Sequence, residues 1–169
     1  GSYLWSNAAN WGGSLPVNSS SLTIPDLTGT PLIVYDASAG TVTPLEITAN
    51  EAFRVTGGSL IFDDDSAFNS DLDIRGGTFG AAGGAITVGG NFSWTGGTLA
   101  GAGSLDLTTV NSVILSGLGN PILNGMTIDM VDPLDITTGA LTIQSGSITG
   151  INGLSVQTGA ILDVVGGNI

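Results

Sequence analysis

The chain has 169 residues, 28 of them glycine, and its 14 acidic side chains face only two basic ones, Arg54 and Arg75, for a net charge of −12. That balance excludes a nucleic-acid partner, which needs a cationic face, and disfavours an anionic membrane surface. Histidine, cysteine and lysine are absent, so Ser–His and Cys–His nucleophiles, histidine metal sites, Schiff bases and P-loops are ruled out.

The length suits one domain with a substantial interior. Only 9% of residues are charged and the mean hydropathy is +0.41. No apolar run approaches the roughly 20 residues of a spanning helix, so membrane insertion is not expected. Apolar residues come in twos and threes, as in a protein whose inside lies along a tight axis. Glycine without a G-X-Y period argues against collagen and against a disordered linker.

Residues 1–30 carry no repeat. No leader is visible, and Gly1-Ser2 reads as a cloning scar that leaves room for one removed from the natural protein. Trp5 and Trp11 lie here, followed by a strand-like run at Leu22-Thr23-Ile24 that Pro25 ends. A terminal coil exposes backbone and core, so this segment is expected to be an N-terminal cap with its large rings buried. A carbohydrate-stacking pair of Trp5 and Trp11 is the alternative.

From residue 31 to 169 one phrase returns, reading apolar–any–apolar–polar, then glycine or a small residue, then apolar. Its clearest copies run from Phe53 to Leu60, Leu72 to Phe79 and Phe92 to Leu99, and weaker ones open at Ile33, Val113, Leu134 and Leu154. The intervals are 20, 19, 20, 21, 21 and 20 residues. A fixed period near twenty with strand-like alternation predicts a stacked solenoid, here an all-β, single-stranded parallel β-helix of roughly seven coils. Each coil divides into three strands. The first opens the phrase, as in Leu72-x-Ile74. The second follows the glycines at Leu60-x-Phe62, Phe79, Leu99, Leu141-x-Ile143 and Ile161. The third is Leu45-x-Ile47, Ile86-x-Val88, Leu105-x-Leu107 and Met126-x-Ile128. Almost no helix is expected.

Gly57-Gly58, Gly76-Gly77 and Gly96-Gly97 mark one sharp corner, continued at Gly117, Gly139 and Gly159, because a tight turn needs a residue tolerant of positive φ. The outward column between the opening apolar pair reads Val34, Arg54, Asp73, Ser93, Ile114, Asp135 and Ser155, which puts Arg54 and Asp73 on neighbouring coils as a cross-coil ion pair. Ser59, Thr78 and Thr98 stack as a short hydroxyl ladder that stops before Leu118 and Ala140. Such ladders can order water, which makes ice binding a remote alternative.

From Phe92-Ser93-Trp94-Thr95-Gly96-Gly97-Thr98-Leu99 through Leu105, the text resembles the glycine-rich repeats of large secreted bacterial surface proteins, the autotransporter passengers and filamentous-haemagglutinin-like adhesins. The stretch from Trp5 to Trp11 is similar to the segment that often precedes such repeats. The resemblance covers roughly residues 30 to 169. It implies a right-handed β-helix, extracellular display, and adhesion or structural reach, and it transfers no site residues.

Carboxylates are the one class of general acid or base left in the chain. Asp63-Asp64-Asp65, with Asp71 and Asp73 nearby, could form a paired-carboxylate glycosidase site, or an acidic loop at a coil corner. Calcium suits the same three aspartates, because it takes carboxylate and carbonyl oxygens. Asp129, Asp132 and Asp135 form a second, looser cluster. Neither matches an EF-hand or a calcium β-roll repeat. The expected function is a non-enzymatic segment of an extracellular solenoid, an adhesin stalk or structural filament, with no cofactor beyond possible structural calcium. Its partners are further coils of the same protein, other subunits or surface glycans. The chain's close at Gly166-Gly167-Asn168-Ile169 reads as the start of another turn, so continuation or packing against another molecule is expected. A carbohydrate-binding or polysaccharide-cleaving β-helix is the second reading, probed by Trp94→Ala and Asp64→Ala.

Overall fold

The computed structural model describes residues 2–169, apart from the side chains of Ser2 and of residues 116–118. Gly1 and the side chain of Leu118 lie outside the described residues. The chain is an all-β solenoid wound through three parallel ladders, one per face. Among the described residues the two helical pieces are 3-10 turns, Ala8–Trp11 and Ala37–Ala39. No described helix is long and apolar enough to cross a membrane.

The first face stacks Ser2–Leu4, Leu32–Tyr35, Ala52–Val55 and Leu72–Ile74. It continues through the openings of Phe92–Ala100, Val113–Met130 and Leu134–Thr149 and ends at Leu154–Val156. The register follows the repeat. Ile33 pairs with Phe53, Phe53 with Leu72, Leu72 with Phe92, and Phe92 with Val113. Leu115 pairs with Ile136, and Leu134 with Leu154. The seven phrase openings are therefore seven stacked rungs, with about six full turns between the first and the last. The rung Ser2–Leu4 pairs with Leu32–Val34, so the first residues extend the same ladder. Ser21–Ile24 does likewise on the third face, against Glu46–Ala49.

Alternation puts one set of side chains on the axis. Phe53, Leu72, Phe92, Leu60, Phe79, Leu99, Ile86, Leu105 and Ile128 are all buried in one continuous core. Its first coils are aromatic: Trp5 meets Trp11, Tyr35 and Phe53 edge-on at 4.7, 5.3 and 6.0 Å, and Phe53 leads on to Phe68, Phe62 and Phe79. Edge-on pairs suit the ring quadrupole and add to the area buried. Toward residue 169 the core opens. Leu154, Val156 and Val164 are 50%, 43% and 45% exposed, whereas Leu134, Ile136 and Ile143, one rung earlier, are at most 1% exposed.

The glycine corner is a column of its own. Gly58, Gly77 and Gly97 have φ of 73°, 74° and 79°, and Gly139 and Gly159 continue at 70° and 87°. Thr78 N–H donates to the Gly58 carbonyl, and Thr98 N–H to that of Gly77, each at 2.9 Å.

Three local expectations need correction. Leu45 lies just outside the strand Glu46–Ala49 and is 37% exposed, so Ile47 and Ala49 face inward there. Ile161 aligns with Ala140, not Leu141, and points outward, leaving Leu162 and Val164 inward. The hydroxyl ladder runs Thr41, Ser59, Thr78, Thr98 and then meets Ile122, so its next neighbour is neither Leu118 nor Ala140. The cause is a bulge. Phe92 pairs with Val113, an offset of 21, but Gly96 pairs with Gly119, an offset of 23, and Thr98 with Ile122, an offset of 24, so two extra residues enter between Leu115 and Gly119 and a third at Asn120-Pro121. Pro121 cannot donate to a ladder, and Asn120 turns at φ 48°.

Candidate functional site

Three outward rows run along the faces. On the first, Arg54 and Asp73 are register partners, and Arg54 Nε donates to Asp73 Oδ2 at 2.8 Å. Arg75, two residues on and just past the end of the strand Leu72–Ile74, donates from Nε to the same oxygen at 2.7 Å. Both cations of the protein thus converge on one carboxylate. The second guanidinium escaped the sequence reading, although residues i and i+2 on a strand share a face. The pairs are partly solvated and each contributes under about 1 kcal/mol. They join two coils and hold no reacting atom.

The third face carries the row Thr23, Thr48, Ala67, Thr87, Asp106, Asp129 and Thr149. Asp106 and Asp129 stand directly opposite each other on adjacent rungs. Thr108 donates to Asp106 Oδ1 from its N–H at 2.9 Å and its hydroxyl at 2.7 Å, and the Thr149 hydroxyl donates to Asp129. The second face carries the hydroxyl ladder, with Thr41 exposed and Ser59, Thr78 and Thr98 half-buried.

The aspartates singled out from the sequence do not gather. Asp63, Asp64 and Asp65 are exposed at the corner between second and third faces. Asp64 Oδ1 accepts the Asp65 N–H at 2.8 Å, and Asp65 Oδ1 accepts the Ala85 N–H of the next coil at 2.8 Å. Asp71, at the corner leading into the first face, accepts the N–H and the side-chain amide of Asn91 at 2.8 and 3.0 Å. Asp129 belongs to the third face and Asp135 to the first, with Asp132 at the corner between them. Among the described residues no group of three or more acidic, histidine or cysteine side chains is placed to hold a metal ion. Asp65 and Asp71 accept backbone amides of the next coil and Asp129 accepts the Thr149 hydroxyl, so these carboxylates tie neighbouring coils together.

The tryptophans are also placed. Trp94 is wholly buried, so no glycan can stack on it without unfolding the coil. Trp5 is equally buried, and Trp11 covers it, with its indole Nε1 donating to the Trp5 carbonyl at 2.9 Å. Trp11 also lines a hollow of about 400 Å³ at the first coil with Tyr3, Leu4, Thr23 and Leu27. Glu51, which no sequence pattern marks, is buried under the first coil, where it accepts the Leu27 N–H. Tyr35 is buried too, with its hydroxyl donating to the Ser59 carbonyl at 2.8 Å. Burial pushes the Tyr35 phenol up to about 12, with Asp36 adding in the same direction.

No protein-family model, curated protein or solved structure matches this sequence.

Proposed function

We propose that the chain is a non-enzymatic, load-bearing segment of an extracellular bacterial surface protein, an adhesin stalk or structural filament. One observation carries the reading: the first-face ladder runs from Ser2–Leu4 to Leu154–Val156 with every repeat copy in register. Parallel rungs about 4.8 Å apart, hydrogen-bonded along the axis around a continuous core, make a stiff rod. Its flanks present rows of hydroxyl, amide and carboxylate groups, many of them committed to holding coils together. The half-exposed Leu154, Val156 and Val164 offer an apolar surface to further coils of the same protein or to another subunit.

Pulling the folded protein from its two ends tests this. Coils are expected to peel off in succession, each release lengthening the chain by about one period of twenty residues. Extension without resolved force events would overturn the load-bearing role. The second reading, surface-glycan binding, draws on the hollow beside Trp11 and Tyr3, and a glycan array separates the two.

A further inference from the structure

Asparagine followed by glycine occurs twice in the sequence, at Asn124-Gly125 and Asn152-Gly153. The pair is chemically special because glycine has no Cβ, so its backbone nitrogen can reach the preceding side-chain amide. Sequence alone does not separate the two copies. The structure does.

Asn124 lies inside the strand Val113–Met130, with Ala100 on one side and Ser145 on the other. Its side-chain oxygen accepts the Ser145 hydroxyl at 3.0 Å, and its carbonyl accepts the Gly101 N–H at 3.3 Å. Gly125 is packed so closely that a Cβ on it would stand 2.6 Å from the Gly101 carbonyl oxygen. Folding Asn124 back onto the Gly125 nitrogen requires breaking a rung on both sides. Asn152 is different. It sits in the exposed bend between Leu134–Thr149 and Leu154–Val156. Among the described residues neither its side chain nor the Gly153 N–H makes a hydrogen bond, and the nearest atom to a Cβ on Gly153 is Pro133 Cβ at 3.7 Å.

We infer that Asn152-Gly153 is a self-modifying site that converts to isoaspartate and aspartate in the folded protein, while Asn124-Gly125 is shielded. The deprotonated Gly153 nitrogen attacks Asn152 Cγ. A new bond forms between that nitrogen and Cγ, the bond from Cγ to Nδ2 breaks, and ammonia leaves with the proton that the Gly153 nitrogen gave up. The resulting five-membered succinimide is opened by water at either carbonyl. Attack at one restores the normal backbone as aspartate. Attack at the other routes the backbone through Cβ and inserts one extra atom before Gly153.

The position gives the reaction a structural consequence. The Gly153 carbonyl accepts the Leu134 N–H at 2.8 Å, the bond that opens the last first-face rung. An inserted backbone atom displaces that carbonyl, and either product adds a negative charge to a protein already at −12. Conversion therefore loosens Leu154–Val156 selectively.

The test uses the full folded protein, incubated at mildly alkaline pH and body temperature and followed by peptide mass spectrometry. The peptide holding Asn152 is expected to gain about one dalton and to split into two chromatographic species. The peptide holding Asn124 is expected to stay unchanged until urea unfolds the protein, whereupon both react. Asn152→Gln blocks the gain, and Gly153→Ala slows it at least tenfold. After conversion, hydrogen exchange at the Leu134 amide accelerates. No mass gain at position 152 overturns the inference, and so do equal rates at 124 and 152 in the folded state.

Discussion

Adding one methyl group at the glycine corner separates two costs that usually travel together. At Gly77, φ is +74°, and a Cβ would lie 2.6 Å from the Gly58 carbonyl oxygen and 2.7 Å from the Gly57 carbonyl carbon. At Gly12, φ is +71°, and a Cβ would meet nothing within 4 Å. Both alanine variants carry the left-handed strain, about 1–2 kcal/mol. Only Gly77→Ala must also push a coil away. Opening 2.6 Å to the 3.4 Å of ordinary contact needs 0.8 Å of movement. The Gly58 oxygen is the acceptor for Thr78 N–H at 2.9 Å, so the same shift breaks that bond and leaves a donor unmet. That adds about 1–3 kcal/mol. Gly12→Ala should therefore cost about 1 kcal/mol and Gly77→Ala about 3 kcal/mol or more. Urea unfolding followed by circular dichroism measures both. Equal losses would show that the corner column is not packed carbonyl against carbon, and the stacking account of the double glycines would fall.

Two further perturbations follow from individual rungs. Asp106→Asn removes one of two directly opposed carboxylates while keeping an oxygen for Thr108, so stability should rise by about 0.5 kcal/mol. The gain should shrink in high salt, and a loss of stability, or a gain indifferent to salt, refutes the pairing. For Tyr35 the sign runs toward alkali: an unfolded phenol ionises near 10 and the folded one near 12. The folded form keeps a proton that the unfolded form gives up, so stability falls as pH rises from about 10 to about 12. Tyr35→Phe should flatten that part of the stability–pH curve, and an unchanged slope counts against the burial of the phenol.

The period carried the architecture into the sequence because each inward position recurs at nearly the same spacing. Phe53, Leu72 and Phe92 stack as the interval implied, and so do Arg54 and Asp73. The misplacements at Leu45 and Ile161 differ in cause: Leu45 shares the parity of Ile47 but falls on the corner before the strand Glu46–Ala49 opens, whereas Ile161 is off by one residue. A one-residue ambiguity at a corner flips a strand's faces, and hydrophobicity alone does not decide between Ile161 and Leu162. The hydroxyl ladder is not legible past Thr98 because an insertion within one coil leaves the spacing of the phrase openings almost unchanged. Glu51 was illegible for another reason: its partner, Leu27 N–H, is backbone on the preceding coil and leaves no trace in side-chain identity. The aspartate runs show how a strand separates neighbours in sequence. Neighbours in sequence, Asp63–Asp65 and Asp71, are dealt to different corners by the strand between them.

The bulge between Leu115 and Ile122 shows how this architecture treats length. Three surplus residues are taken up in two steps between Leu115 and Ile122, yet Leu123 and Ile128 return to their places on the axis. A bulge of this kind is a natural graft point: a guest peptide spliced there would ride outside the spiral, and the coils on either side would not register its presence.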